Sequence, residues 1–176
     1  MLKLIKSIDD LVVEKITALH KPFLIKLMRF ATYLGNQGKI WFAMCIPMLL
    51  LERWRLLGCN ILVALSVTCL AGEGIIKHLV CRIRPCHMID DDKLVVKKRP
   101  SQYSFPSGHS ASSFSVFAVT LLRFWPLSVP VLVLALLIAF SRIFLQVHYL
   151  TDVIVGILLG ILCGVFSVQL MERLAF

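Results

Sequence analysis

From Leu56 onward the chain is assembled from apolar runs close to the length of a membrane crossing, separated by polar connections. A crossing helix takes roughly 20 apolar residues, with a range of ~17–25. Leu56 to about Lys77, Leu127 to Leu145 and Asp152 to Leu170 meet that length, while Ser107 to Leu122 and Asn36 to Leu51 are shorter. Hydrocarbon cannot hydrogen-bond a peptide group, so apolar runs of this kind close their backbone bonds as helices. The pattern predicts an all-α, polytopic integral membrane helix bundle of about five transmembrane helices, with the two termini on opposite sides. Composition agrees: 59% of residues are hydrophobic and 16% charged, against ~45–50% and ~25% in a soluble domain. With 176 residues in all, five spans leave no room for a separate soluble catalytic domain of ~100 residues.

Residues 1–34 follow a different pattern. Ile5, Ile8, Leu11, Val12, Ile16 and Leu19 recur at helical spacing, with Lys6, Asp9, Asp10, Glu14 and Lys15 between them. Lys21, Lys26 and Arg29 break up any run long enough to cross. This reads as an amphipathic interfacial helix or arm on the membrane surface, with a charged face toward water; a helix packed on the bundle is the alternative. Residues 35–176 form the transmembrane domain, entered through the turn signal Gly35-Asn36-Gln37-Gly38. The one long connection, residues 86–105, is polar, carrying Asp90, Asp91, Asp92 and Lys93, then Lys97, Lys98 and Arg99.

Nineteen Lys and Arg against ten Asp and Glu give a formal charge of +9. On an apolar protein this favours anionic headgroups or a phosphate-bearing ligand. The basic residues are scattered, with no recognition helix or aromatic-lined groove, which excludes nucleic acid as partner. Of the six cysteines, Cys45, Cys59, Cys69 and Cys163 fall in apolar stretches and read as small core residues. Cys81 and Cys86 flank a turn and are placed to form a disulfide if their side is oxidising. Gly156, Gly160 and Gly164 form a small-xxx-small ridge, suited to close packing within the bundle or to a homodimer.

Numbering the five spans in order, the end of the second, the start of the third, the end of the fourth and the start of the fifth share one membrane face, and that face gathers the polar residues. Lys77 and Arg84 are seven apart, close to two helical turns, although Pro85 disfavours helical geometry at Arg84. Glu73 lies one turn before Lys77, in range of an ion pair. Pro106, Ser107, Gly108 and His109 precede the third apolar run and read as a helix N-terminus, whose free N–H groups suit an anion. Ser141 and Arg142 close the fourth run; His148 and Asp152, four apart, share a helix face. A carboxylate beside an imidazole fixes its tautomer and stabilises its cation, which suits a nucleophile or base. Arg142 joins them only if the helix breaks near Gln146 to Tyr149.

In order, the motifs are KxxxxxxRP, PSGH and SRxxxxxHxxxD, running from Lys77 to Asp152. With them the chain resembles the type 2 phosphatidic acid phosphatase superfamily, and its short length and GNQG turn resemble the small bacterial members. The resemblance implies a metal-independent lipid phosphatase. By position, Lys77, Arg84 and Arg142 would bind the phosphoryl oxygens, with Ser107 and the backbone N–H of Gly108. His148 would attack phosphorus to give a phosphohistidine, Asp152 would orient it, and His109 would protonate the leaving oxygen. No cofactor is implied, and no Cys/His spacing or carboxylate cluster suggests a metal. Larger members resemble a six-span plan, of which this chain would lack the first span.

The substrate implied is a lipid phosphate or diphosphate, first undecaprenyl (polyprenyl) diphosphate, then phosphatidylglycerol phosphate or phosphatidic acid. A non-catalytic phospholipid binder or transporter is the rival class, but binding alone does not call for His109, His148 and Asp152 together. The resemblance puts the site on the extracytoplasmic face of the cell membrane. Charge counting points the other way, since the catalytic side carries seven basic residues up to Lys39 and seven more from Lys77 to Arg99.

Overall fold

The computed structural model describes residues 2–96, 98–100 and 103–174; Lys97, counted above in the basic half of the long loop, lies outside the described residues. Regular structure among them is entirely helical: α1 (Leu2–Thr17), α2 (Pro22–Gly35), α3 (Lys39–Leu50), α4 (Glu52–Cys69), α5 (Lys77–Val80), α6 (Gly108–Arg123), α7 (Trp125–Phe144) and α8 (Leu150–Leu174). A π-helical segment, Leu70–Ile76, joins α4 to α5, making one continuous helix from Glu52 to Val80. That helix, α7 and α8 are long and apolar enough to cross a membrane. At ~1.5 Å per residue, the 12 residues of α3 and the 16 of α6 reach only about 18 and 24 Å.

The first 35 residues make two helices rather than one. The chain leaves helical geometry at Lys21, and Pro22, whose missing N–H costs nothing in a first turn, starts α2. α1 is also turned differently from expectation. Asp9 is fully buried, while Ile8, Leu11 and Leu19 are exposed, so Asp9 does not belong to a solvated charged face. Val12 and Ile16 pack with Phe144, Leu145 and Val147 in a core at the end of the bundle. A second core joins Trp41 of α3, Ile61 of α4, Val116 and Val119 of α6 and Ile138 of α7.

α6 packs most closely on α8, and the glycine ridge is the reason. A Cβ on Gly156, Gly160 or Gly164 would collide with the carbonyl oxygens of Ser107, Ala111 and Ser115 respectively. The ridge is thus used for packing inside the chain, where all three glycines are buried. Close contact also sets the depth of the site, since Ser107 N–H donates to Asp152 O at 3.0 Å and joins the starts of α6 and α8.

Two further expectations change. The helix carrying Lys77 stops at Cys81, which is left-handed (φ 50°), and Arg84 is extended before Pro85, so Lys77 and Arg84 do not share a helix face. Cys81 and Cys86 are both free, the first exposed and the second buried.

Candidate active site

The predicted residues converge at one end of the bundle. Lys77, Arg84, Gly108, His109, Arg142 and His148 all line a cavity of about 930 Å³. Ser107 and Asp152, both fully buried, stand behind that lining. The break anticipated between the fourth and fifth runs is present: α7 ends at Phe144 and Gln146 is left-handed (φ 55°). The N–H groups of Val147 and His148 both donate to Arg142 O, folding the turn so that Arg142 and His148 face the same space. His148 accordingly lies before α8 and not on it, which corrects the shared helix face expected with Asp152.

The three cations are held differently. Lys77 Nζ lies 2.6 Å from each carboxylate oxygen of Glu73, the ion pair predicted from the i, i+4 spacing. Arg142 Nη1 donates to Thr32 Oγ1 of α2 at 2.8 Å; Thr32 in turn contacts Ser141 Oγ at 2.8 Å, and Ser141 donates to Ile138 O. Arg84 Nη1 donates to Val147 O and to His148 Nε2, each at 2.9 Å. All three cations are buried, where their charge is little screened and an anion between them gains most.

A guanidinium has donors only, so His148 Nε2 must be the accepting nitrogen and Nδ1 carries the ring proton. Nδ1 points toward Asp152, 3.6 Å from Oδ2, too long for a formed hydrogen bond. Burial first, then the neighbouring Arg142 and Arg84 charges, hold the His148 imidazole well below its usual 6.5. His148 is therefore neutral at pH 7, with its Nε2 lone pair directed at Arg84.

At the start of α6, Ser107 caps the helix: its hydroxyl accepts weakly from Ser110 N–H at 3.4 Å and more closely from Ser110 Oγ at 2.9 Å. At Gly108 an added Cβ would meet Glu73 Oε1, one of the carboxylate oxygens that Lys77 holds. His109 Nε2 is 3.0 Å from Asn36 Oδ1. Asn36 is brought there by the turn in which Gln37 and Gly38 are left-handed (φ 53° and 69°), a conformation that glycine adopts without penalty.

Sequence reasoning missed four contributors. Thr32 and Asn36 carry no spacing signal of their own. Arg82 sits beside the motif arginine and bonds Asp152 Oδ1 at 2.6 Å and Asp9 Oδ2 at 2.7 Å. Asp9 did leave a signal, since it falls on the apolar stripe of Ile5, Val12 and Ile16, four after the first and three before the second.

A family model described as the PAP2 superfamily matches residues 52–175. An undecaprenyl-diphosphatase of Sulfolobus acidocaldarius is 33% identical over 120 residues, covering 67% of this chain and 56% of that protein, so the chain spans little more than half of that curated relative. Among solved structures, a PAP2-type phosphatidylglycerolphosphate phosphatase from Bacillus subtilis superposes with a TM-score of 0.77 at 25% identity, covering 97% of this chain and 87% of its own. LpxE of Aquifex aeolicus gives the same TM-score and identity, covering 92% of this chain and 94% of its own. A family match over more than two thirds of the sequence, centred on the residues that line the cavity, places this chain in the PAP2 superfamily.

Proposed function

We propose that the protein is a metal-independent membrane lipid phosphatase working through a phosphohistidine. The observation that carries this reading is the convergence of Lys77, Arg84, Arg142, His109 and His148 on one cavity. Phosphoryl transfer needs charge neutralisation and positioning above all, and three buried cations beside a helix N-terminus supply both. His148 Nε2 attacks phosphorus, and the Arg84 N–H that it now accepts passes to a phosphoryl oxygen. The bond from phosphorus to the lipid-side oxygen breaks with its electron pair on that oxygen, which takes a proton from His109. Asp152, behind Nδ1, stabilises the positive charge that the ring acquires. Water then attacks the phosphohistidine, His109 takes its proton, and phosphate and neutral His148 are released.

The preferred substrate is a polyprenyl diphosphate such as undecaprenyl diphosphate, in line with the name of the Sulfolobus relative. Phosphatidylglycerol phosphate is the second reading, favoured by the near-complete superposition on the Bacillus enzyme. In this reading α3 and α6 join the three longer helices as the fourth and fifth spans. α1, whose outer face exposes Ile8 and Leu11, lies at the interface on the extracytoplasmic side of the cell membrane.

Phosphate release from farnesyl diphosphate, phosphatidylglycerol phosphate and phosphatidic acid in detergent tests both parts. Activity is expected to persist in excess EDTA and to be inhibited competitively by vanadate, whose five-coordinate form resembles the transition state. A phosphoenzyme, acid-labile and base-stable, is expected on the natural chain and absent from His148→Ala. Trapping that survives His148→Ala but disappears in His109→Ala would reverse the two roles, and activity lost to EDTA and restored by a divalent cation would refute the metal-free scheme.

A further inference from the structure

We infer that Asp9 and Arg82 are positioning residues for phosphoryl transfer, a carboxylate and guanidinium that keep Asp152 negative toward His148. The inference rests on the catalytic reading of His148 and Asp152 given above. Asp9 Oδ2 accepts from Arg82 Nη2 at 2.7 Å and from Thr151 Oγ1 at 2.6 Å, and Oδ1 accepts from Thr151 N–H at 3.0 Å. Arg82 Nη1 donates to Asp152 Oδ1 at 2.6 Å and to Thr151 Oγ1 at 2.8 Å. The remaining oxygen of Asp152 accepts from Tyr149 N–H at 2.9 Å and faces His148. The guanidinium also lies 3.9 Å over the Tyr149 ring, and both carboxylates are fully buried.

Charge arithmetic gives the network its sign. Arg82 alone would cancel Asp152, leaving little negative potential behind the imidazole when it becomes cationic. Asp9 adds a second carboxylate to the same guanidinium, so the cluster carries one net negative charge. In a poorly screened interior that charge favours the cationic ring of the transition state and of the phosphohistidine. The fork geometry of Arg82 matters as well, since its two terminal nitrogens reach the two carboxylates separately, which a single ammonium does not reproduce. α1 is thereby part of the catalytic apparatus and not only an anchor.

The test measures farnesyl diphosphate hydrolysis by the full chain in detergent, with turnover normalised to the number of vanadate-binding sites. Groups facing His148 are Lys77 and Arg84 from the second span and the loop after it, His109 of α6, Arg142 of α7 and Asp152 of α8; Asp9→Asn and Arg82→Lys alter none of these. Asp9→Asn and Arg82→Lys are each expected to lower kcat per site about tenfold with KM within about twofold, the scale on which groups that orient a catalytic residue act. Asp9→Asn also moves the acid limb of kcat/KM to lower pH, because the ring loses a neighbouring negative charge. Asp10→Asn, which removes an exposed charge from the same helix, retains natural turnover.

Asp9→Asn with natural kcat per site and an unmoved acid limb overturns the inference, and so does a loss confined to the number of folded, vanadate-binding molecules. If Asp9→Asn does not fold, Arg82→Lys decides, and natural kcat per site in that variant is equally fatal. His148→Ala and Asp152→Asn run alongside. Should they stay active, the catalytic reading itself fails; should they be impaired while Asp9→Asn and Arg82→Lys are not, only this inference does.

Discussion

Arg84 Nη1 and His148 Nε2 are 2.9 Å apart, so a cation proposed to bind phosphate rests on the lone pair proposed to attack phosphorus. The contact holds the histidine in its Nδ1–H tautomer and aims the remaining ring proton at Asp152. It also helps keep the ring neutral, because protonating Nε2 would set two cations against each other.

The pH profile follows from that environment. In the proposed scheme His148 attacks only when unprotonated, and burial, then Arg142 and Arg84, hold its proton affinity well below the usual 6.5. As pH falls through 6.5, kcat/KM, corrected for ionisation of the substrate phosphate, is expected to stay level and to bend only at lower pH. Stability moves oppositely to proton uptake: below 6.5 the unfolded histidine gains a proton that the folded one refuses. Its contribution is intact above 6.5 and declines as pH falls. A bend at or above 6.5 would contradict the neutral, cation-flanked ring.

The two histidines should separate by leaving group. His148→Ala removes the nucleophile and abolishes turnover for every substrate. His109→Ala lacks only the acid, with an expected loss of about 10²–10⁴ for an alkyl phosphate, and recovers partly with p-nitrophenyl phosphate, whose leaving oxygen needs no proton. Asn36→Ala, which frees His109 Nε2, is expected to show the same leaving-group dependence at roughly a tenth of natural turnover. Equal losses on both substrates would remove His109 from the acid role.

Packing of α6 on α8 supplies a stability prediction with no catalytic component. Gly160 sits against Ala111 O, so Gly160→Leu forces two backbones apart and should cost about 1–3 kcal/mol, the range for overpacking a close contact. Thermal unfolding in detergent measures it. Gly74, where an added Cβ meets only one ordinary contact, serves as the tolerant comparison, and an unchanged midpoint for Gly160→Leu would deny the ridge its structural role.

Sidedness is open to direct labelling. The Asp91 side chain is 83% exposed, and Asp91→Cys, in a chain whose exposed Cys69 and Cys81 are replaced by serine, presents one accessible thiol on the active-site end. An impermeant maleimide should label it in intact cells. Protection until the membrane is permeabilised would put the site in the cytoplasm, as charge counting alone suggests.

Much of this site was legible because its chemistry is carried by residue types that apolar spans otherwise avoid. Lys77, Arg84, His109, Arg142, His148 and Asp152 stand out against their surroundings, and Pro85 and Pro106 mark where helices cannot continue. Helix boundaries were legible for the same reason. What escaped is what depends on contacts distant in sequence: Thr32 on Arg142, Asn36 on His109, and Arg82 between Asp9 and Asp152. Periodicity shows that α1 has a stripe but not which neighbour covers it, so a carboxylate on the stripe looked like part of a charged face. The π-helical segment before Lys77 leaves no mark in a hydropathy pattern, because it changes helical phase without changing composition.

The bond from Thr151 N–H to Asp9 Oδ1 joins residues 142 positions apart, and that separation has a consequence for synthesis. Asp9 is translated well before Thr151, its partner in the first turn of α8, and before Asp152, which it reaches only through Arg82. Until α8 is made, Asp9 has only part of its bonding in place, and the carboxylate behind His148 is not yet present. The proposed chemistry can therefore begin only after α8 has joined the helices made before it.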